Sequence, residues 1–239
     1  MKTIKQFFIG AIALLFATTS CIEDFTIRGN GIPISEGRIT NGFSEVKSEG
    51  AFNVHITNGD DFEIIVNAES NILPYIETDV SNHKLRIYIR GIHSVHNRLP
   101  MEVFITTPYL EGILQSGSGI ITTDYFTTGH FDAVVSGSGS IETAVDATTI
   151  DALISGSGNL IISGEANDAD LAISGSGKID GYDLSILDCD AKISGSGNLW
   201  VKVERFLIAT ISGSGNVYYY GTPDIETHIS GSGDVIQHQ

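Results

Sequence analysis

The sequence predicts an all-β chain wound into a parallel β-helix, and three observations carry that prediction. The tetrapeptide Ser-Gly-Ser-Gly occurs seven times, beginning at Ser116, Ser136, Ser155, Ser174, Ser194, Ser212 and Ser230. The intervals between copies are 20, 19, 19, 20, 18 and 18 residues, a fixed period of the kind that marks solenoids. Between copies, apolar and polar residues alternate with the period of two that a strand requires.

Before the repeat, the chain opens on Lys2 and Lys5, an apolar run over residues 7–17, and Thr18-Thr19-Ser20-Cys21. A basic start, an apolar stretch and then small residues form the layout of a secretory signal. The stretch is too short to span a bilayer, which takes about twenty residues. A cysteine directly after small residues resembles a bacterial lipobox, although Thr18 stands where leucine is usual. The expectation is cleavage after residue 20 and acylation of Cys21. Several acyl chains, at about 0.8 kcal/mol per buried methylene, anchor a protein stably. An ordinary cleaved signal with an incidental cysteine is the alternative. Residues 21–36 read as a tether.

Residues 37–110 lack the tetrapeptide but alternate as strands do: Phe52, Val54 and Ile56, then Phe62, Ile64 and Val66, then Leu85, Ile87 and Ile89, then Met101, Val103 and Ile105. Asn58-Gly59-Asp60-Asp61 supplies a turn, and residues 69–75 allow one helical turn that Pro74 ends. This segment reads as an N-terminal β cap with the first rungs, guarding the sheet edge against end-to-end pairing. A separate domain is the alternative reading.

Residues 111–239 hold the repeat in rungs of about 19 residues. One register places Ala152, Ile154, Gly156, Gly158 and Leu160 inward, and the next rung places Leu171, Ile173, Gly175, Gly177 and Ile179 there. The serines face outward. A single rung cannot bury its apolar side alone, whereas stacked rungs can. Glycine at two inward positions per rung implies a thin wall or a corner where a side chain would strike the neighbouring rung. Lone Cys189 falls in the inward register and reads as a small core residue.

Charge narrows the partners. The chain carries 13 basic and 29 acidic residues, a net charge of −16. Removing Lys2 and Lys5 with the signal leaves 11 basic against 29 acidic, or −18. Only Lys178, Lys192, Lys202 and Arg205 are basic after residue 100. Such a surface repels phosphate backbones, so no nucleic acid partner is expected. Contact with a membrane is expected through the lipid on Cys21 and not through a basic patch.

The recurring Ile-Ser-Gly-Ser-Gly-Asn-Leu, preceded by Gly-Ala-Phe-Asn-Val-His-Ile-Thr-Asn-Gly-Asp from Gly50, resembles the auto-transporter adhesin, head GIN domain family over about residues 40–236. The resemblance implies a right-handed β-helix, a lipoprotein of the Bacteroidetes type and a place on the cell surface at the outer membrane. It brings no catalytic motif.

Candidate binding residues follow from stacking. Ser136, Ser155, Ser174, Ser194 and Ser212, with Ser116 and Ser230, form an outward hydroxyl ladder able to meet a glycan or to template an array. Small hydroxyls that merely stack at low entropic cost are the plain alternative. Four residues before the first serine, in five of the seven copies, stand Asp132, Asp151, Asp170, Asp190 and Glu226. Carboxylates one rung apart repel unless they are solvated or bridged, and calcium, which takes several oxygens, is the natural bridging ion. A solvated, aggregation-resistant face explains the same column without a metal. Tyr218 and Tyr220 face outward beside core-facing Tyr219, as a contact patch or as simple edge cover.

Several enzyme motifs are absent. No Gly-Lys-Ser/Thr follows the glycines, so there is no phosphate loop. The calcium-binding nonapeptide needs aspartate in its glycine-rich turn, where this chain has serine. No Gly-x-Ser-x-Gly nucleophile elbow is formed, since the serines lie on repeated strands without triad partners. His93-x-x-His96 lacks a third metal ligand. A polysaccharide-degrading β-helix needs basic residues in its groove, and the repeat region has four, set singly, with Trp200 as its tryptophan. The sequence therefore predicts a non-enzymatic cell-surface lipoprotein that offers a repetitive acidic, serine-rich face to a glycan or extracellular protein. A structural cell-envelope scaffold is the second reading.

Overall fold

The computed structural model describes residues 26–40, 42–92 and 94–238. The signal, Cys21 and His93 lie outside the described residues. Strands in chain order are β1 (Thr26–Arg28), β2 (Pro33–Arg38), β3 (Glu45–Gly50), β4 (Phe52–Asn58), β5 (Glu63–Glu69), β6 (Ile76–Ser81), β7 (Lys84–Ile89), β8 (Ser94–His96) and β9 (Met101–Thr107). They continue as β10 (Gly112–Gly117), β11 (Ile120–Gly137), β12 (Ser140–Gly156), β13 (Asn159–Gly175), β14 (Lys178–Gly195), β15 (Asn198–Gly213), β16 (Asn216–Tyr220), β17 (Asp224–Gly231) and β18 (Val235–Gln237).

The repeat is a parallel β-helix. Each of β11 to β15 runs almost a full turn between two Ser-Gly-Ser-Gly corners and pairs in parallel with the rung before and after. The tetrapeptides superpose in register: Ser136 pairs with Ser155, Ser155 with Ser174, and Ser174 with Ser194. Inside, Ala133, Ala152, Leu171, Ala191 and Ala209 stack as one buried column, and Val135, Ile154, Ile173, Ile193 and Ile211 as the next. Burying each large aliphatic side chain contributes about 1.5–3 kcal/mol.

The two glycines of a copy do different work. The first, at φ between +114° and +134° in all seven copies, is half-buried in every copy but the terminal one at Gly231 and forms the corner itself, so the inward alternation pauses there. A Cβ on Gly156 would lie 2.5 Å from the carbonyl oxygen of Gly137. The second, in ordinary backbone, is buried in every copy before the last: a Cβ on Gly177 would meet Ile154 Cγ2 at 2.5 Å and the Gly158 oxygen at 2.6 Å. That oxygen accepts the Lys178 N–H at 3.1 Å, so the rungs are threaded together at the corner.

The first rung is a degenerate copy. β3 pairs with β10 and β4 with the start of β11, which sets Gly50, at φ +133°, against Gly117. Phe52, fully buried, holds the place of the second glycine. Below it β7 and β9 supply another parallel layer. The edge is then closed by antiparallel β6 on β7, β5 on β9, and β2 on β5.

Two expectations need correction. The stretch read as tether contains β1, which pairs with β8, and β2, which lies antiparallel on β5. β2 is solvent-exposed on both faces along most of its length, so it carries no alternation for a sequence to reveal. The expected helical turn is a 3-10 turn over Leu73–Tyr75, with Pro74 inside it; an early helical position suits a residue that has no N–H to donate.

Glu69, fully buried at the end of β5, ties these edge segments together. Its carboxylate accepts from the backbone N–H groups of Gly31, Arg98 (2.8 Å) and Leu99 (3.3 Å). Burial pushes this carboxyl up, but the three N–H groups outweigh it and hold it below its ordinary range.

Candidate functional site

The predicted residues fall on three adjoining parts of the outer surface and do not converge on one site. At the corner, Ser136, Ser155, Ser174, Ser194 and Ser212 form an in-register exposed ladder. Among the described residues, none of their hydroxyls has a protein hydrogen-bond partner, so they face water. The described histidines with ring hydrogen bonds, His55, His130 and His228, engage Thr122, Thr149 and Glu226 and none of the ladder serines.

On the wall leading into the corner, Asp132, Asp151, Asp170 and Asp190 stack in register; Ile208 interrupts the column before Glu226. A second column, two residues earlier, reads His130, Thr149, Asp168, Asp188 and Phe206. Sequence reasoning missed it, although the shared Asp-x-Asp of Asp168/Asp170 and Asp188/Asp190 signals it. Together the columns line a shallow cleft of about 580 Å³, with Phe206 and Ile208 at one end.

Basic side chains partly neutralise this wall. Lys192 Nζ lies 2.6 Å from Asp190, and Arg205 clamps Asp188. The guanidinium holds the Asp188 carboxyl below its usual range, and the hydrogen bond to Asp190 holds the Lys192 ammonium above its own. At the other end, His130, Asp132 and Asp151 bring one potential donor atom each within 4.8 Å of one another, all on exposed side chains. Three donors, one an imidazole nitrogen, are fewer than the six to eight oxygens that calcium collects.

On the wall leaving the corner lie the aromatics. Tyr218 stacks on Trp200 (centroids 4.9 Å, planes 11° apart), and Lys178 from the preceding rung sits 4.6 Å from the Trp200 centroid. Tyr219 packs against the core. Tyr220 meets Tyr182 edge to face at 4.5 Å. Burial first, and then Tyr182 and Asp180, raise the Tyr220 phenol above its ordinary value. Tyr182, Trp200 and Tyr220 share a cleft of about 560 Å³ with Glu142, Thr143, Asp180 and Asp183. Cys189 is buried among core residues, which pushes its thiol far up and makes it unreactive.

The chain is a parallel solenoid whose core is filled by side chains and whose outer walls repeat polar columns. The chain belongs to the family described as "Putative auto-transporter adhesin, head GIN domain", whose model matches residues 42–223. Three crystal structures are among those that share its fold. One is a "putative adhesin" of Bacteroides fragilis (TM-score 0.83, 22% identity, covering 89% of this chain and 100% of that one). The second is a "putative lipid binding protein" of Parabacteroides distasonis (0.76, 22%, 90% and 100%). The third is a "putative adhesin" of the same species (0.71, 25%, 89% and 100%). No curated protein matches the chain.

Proposed function

We propose that this protein is a lipid-anchored adhesin of the outer membrane, exposed at the cell surface, which acts by binding a glycan or an extracellular protein and not by catalysis. The observation that carries the reading is membership of the adhesin family over residues 42–223. The in-register stacking of hydroxyls and carboxylates along successive rungs supports it, because a ligand with its own repeat meets the same chemistry at about 4.8 Å intervals. Cys21 is the proposed attachment point, and calcium on the aspartate wall is a proposed accessory ion.

The test is a glycan-array and host-matrix binding screen with the purified mature protein, run with calcium and with chelator. Selective, saturable binding is expected, and loss of binding in chelator assigns a cation to the aspartate wall. Silence in both conditions, from folded protein, overturns the adhesin reading. Labelled palmitate should be incorporated by the native chain and not by Cys21→Ser. The second reading, an envelope scaffold, is favoured by the exposure of Ile225 and Ile229 on β17. It predicts concentration-dependent self-association in sedimentation.

A further inference from the structure

Rung length is not constant, and the places where rungs differ show where surface has been added to the repeat. The β14 rung takes 20 residues from Ser174 to Ser194, while the β15 rung takes 18 from Ser194 to Ser212. The extra chain is local. Gly181 pairs with Val201, and the next pairing is Ser185 with Lys202. Tyr182 and Asp183 therefore bulge out, while Leu184, without a partner on β15, stays opposite Gly164 of β13. Leu184 turns into the core, fully buried, and leaves Tyr182 and Asp183 exposed. Bulges commonly re-aim side chains beside functional sites.

This bulge forms the lip of the aromatic cleft. Tyr182 is 49% exposed, and its ring stands at 75° to that of Tyr220. The contact fixes the orientation of the Tyr182 ring while leaving it open to solvent. Trp200 forms the wall, its own ring engaged by Lys178 and Tyr218. Asp180 is paired with Lys178 at 2.8 Å. Glu142 and Asp183, by contrast, have no ion pair and no hydrogen bond among the described residues. The cleft thus offers an open aromatic ring beside two carboxylates with all their acceptor sites free.

We infer that this cleft is a saccharide subsite for a neutral pyranose. A pyranose is amphipathic in the matching way: axial C–H groups form a weakly positive apolar patch that packs on the negative face of an aromatic ring, and the hydroxyl rim donates hydrogen bonds. Tyr182 takes the C–H patch. Glu142 and Asp183 accept from hydroxyls, and a charged acceptor strengthens each such bond. The same carboxylates repel a uronate or any other anionic sugar. The inference rests on the adhesin reading and deepens it by giving the glycan a location apart from the serine ladder and the aspartate wall.

The chain's single tryptophan, Trp200, reports directly on this cleft. Purified protein is titrated with neutral hexose and N-acetylhexosamine oligosaccharides and with uronate oligosaccharides, following tryptophan emission and, in parallel, binding heat. At least one neutral oligosaccharide should shift the emission saturably, and uronates should not. Tyr182→Ala and the pair Glu142→Gln/Asp183→Asn should each weaken binding about tenfold or more. Glu63→Gln, an exposed carboxylate on β5 of the cap, should bind as the native protein does. Thermal unfolding of each variant checks that it is folded; both changes lie on exposed or half-exposed side chains, so the unfolding midpoint should hold.

Glycan binding that persists in Tyr182→Ala and leaves Trp200 emission unchanged overturns the subsite while the adhesin reading stands. Uronates binding as well as neutral sugars overturns it equally. An array silent for every glycan overturns the subsite, and silence on the matrix proteins as well removes the adhesin reading with it.

Discussion

The corner and the walls of this solenoid obey different rules. At the corner, seven copies keep the same four residues because backbone meets backbone: a Cβ on Gly175 would lie 2.3 Å from the Gly156 oxygen, at a φ of +128° that a side chain resists. On the walls, a rung gains two residues between the β15 and β14 turns, and the corners on either side remain in register. The corner sets the pitch of the stack. The walls, freed from that duty, carry whatever chemistry distinguishes one rung from the next.

Four predictions sharpen the contrast, beginning with the largest effect. Gly175→Ala places a methyl group against the Gly156 carbonyl in a strained conformation, and should destabilise the protein by about 3 kcal/mol or more, read as a drop in the denaturant midpoint. A loss under about 1 kcal/mol would mean that the corner can relax and does not set the pitch.

Next is the cap, where one buried carboxylate replaces the repeated corner as the fastening. Glu69 has a depressed pKa in the folded state, so its stabilising contribution is fully present above the ordinary carboxyl pKa and is lost as pH falls through the lower folded value. The unfolding temperature should fall with acid over that window, and the protection of the Arg98 and Leu99 amides, taken against their intrinsic exchange rate at each pH, should drop. In Glu69→Gln, native-state exchange at these amides should already be fast at neutral pH, and its acid dependence should flatten.

Smaller again is a change to a wall. Inserting one glycine after Asp183 lengthens an existing bulge and should cost less than about 1 kcal/mol. A cost comparable to that of Gly175→Ala would erase the distinction between corner and wall. Smallest is Ser155→Ala, which removes an exposed hydroxyl with no protein partner; its effect on stability should lie within about 0.5 kcal/mol.

Much of the fold was legible because the repeat is written in residues that have one structural use. Seven in-register glycine pairs leave few alternatives, and the buried columns through Ile154 and Ile173 follow by counting in twos. The first rung was hidden because Glu49-Gly50-Ala51-Phe52 keeps only the positive-φ glycine, and Phe52 fills the second position from within the cap. β2 was hidden because a strand exposed on both faces has no pattern. Of the candidate surface, the Asp132, Asp151, Asp170 and Asp190 column was legible from its offset to the serines. Its Asp168/Asp188 neighbour was not, because it recurs in only two rungs and gives way to Thr149 and Phe206 beside them. The aromatic cleft depends on how a 20-residue turn absorbs its surplus against an 18-residue one, which only the pairing register reveals.

The threading of the corners has a mechanical side. Its strands run across the long axis of the solenoid, so tension applied between the two ends of the rod bears on one row of inter-rung hydrogen bonds at a time. The rod should therefore yield by peeling. Each yielding event should pay out one turn of about 19 residues, roughly 65 Å at the extended length of a polypeptide, while the remaining turns stay wound behind their glycine corners. A tether built this way lengthens in steps under load and can rewind onto the next intact turn, a shock-absorbing property that needs no hinge and no change of fold.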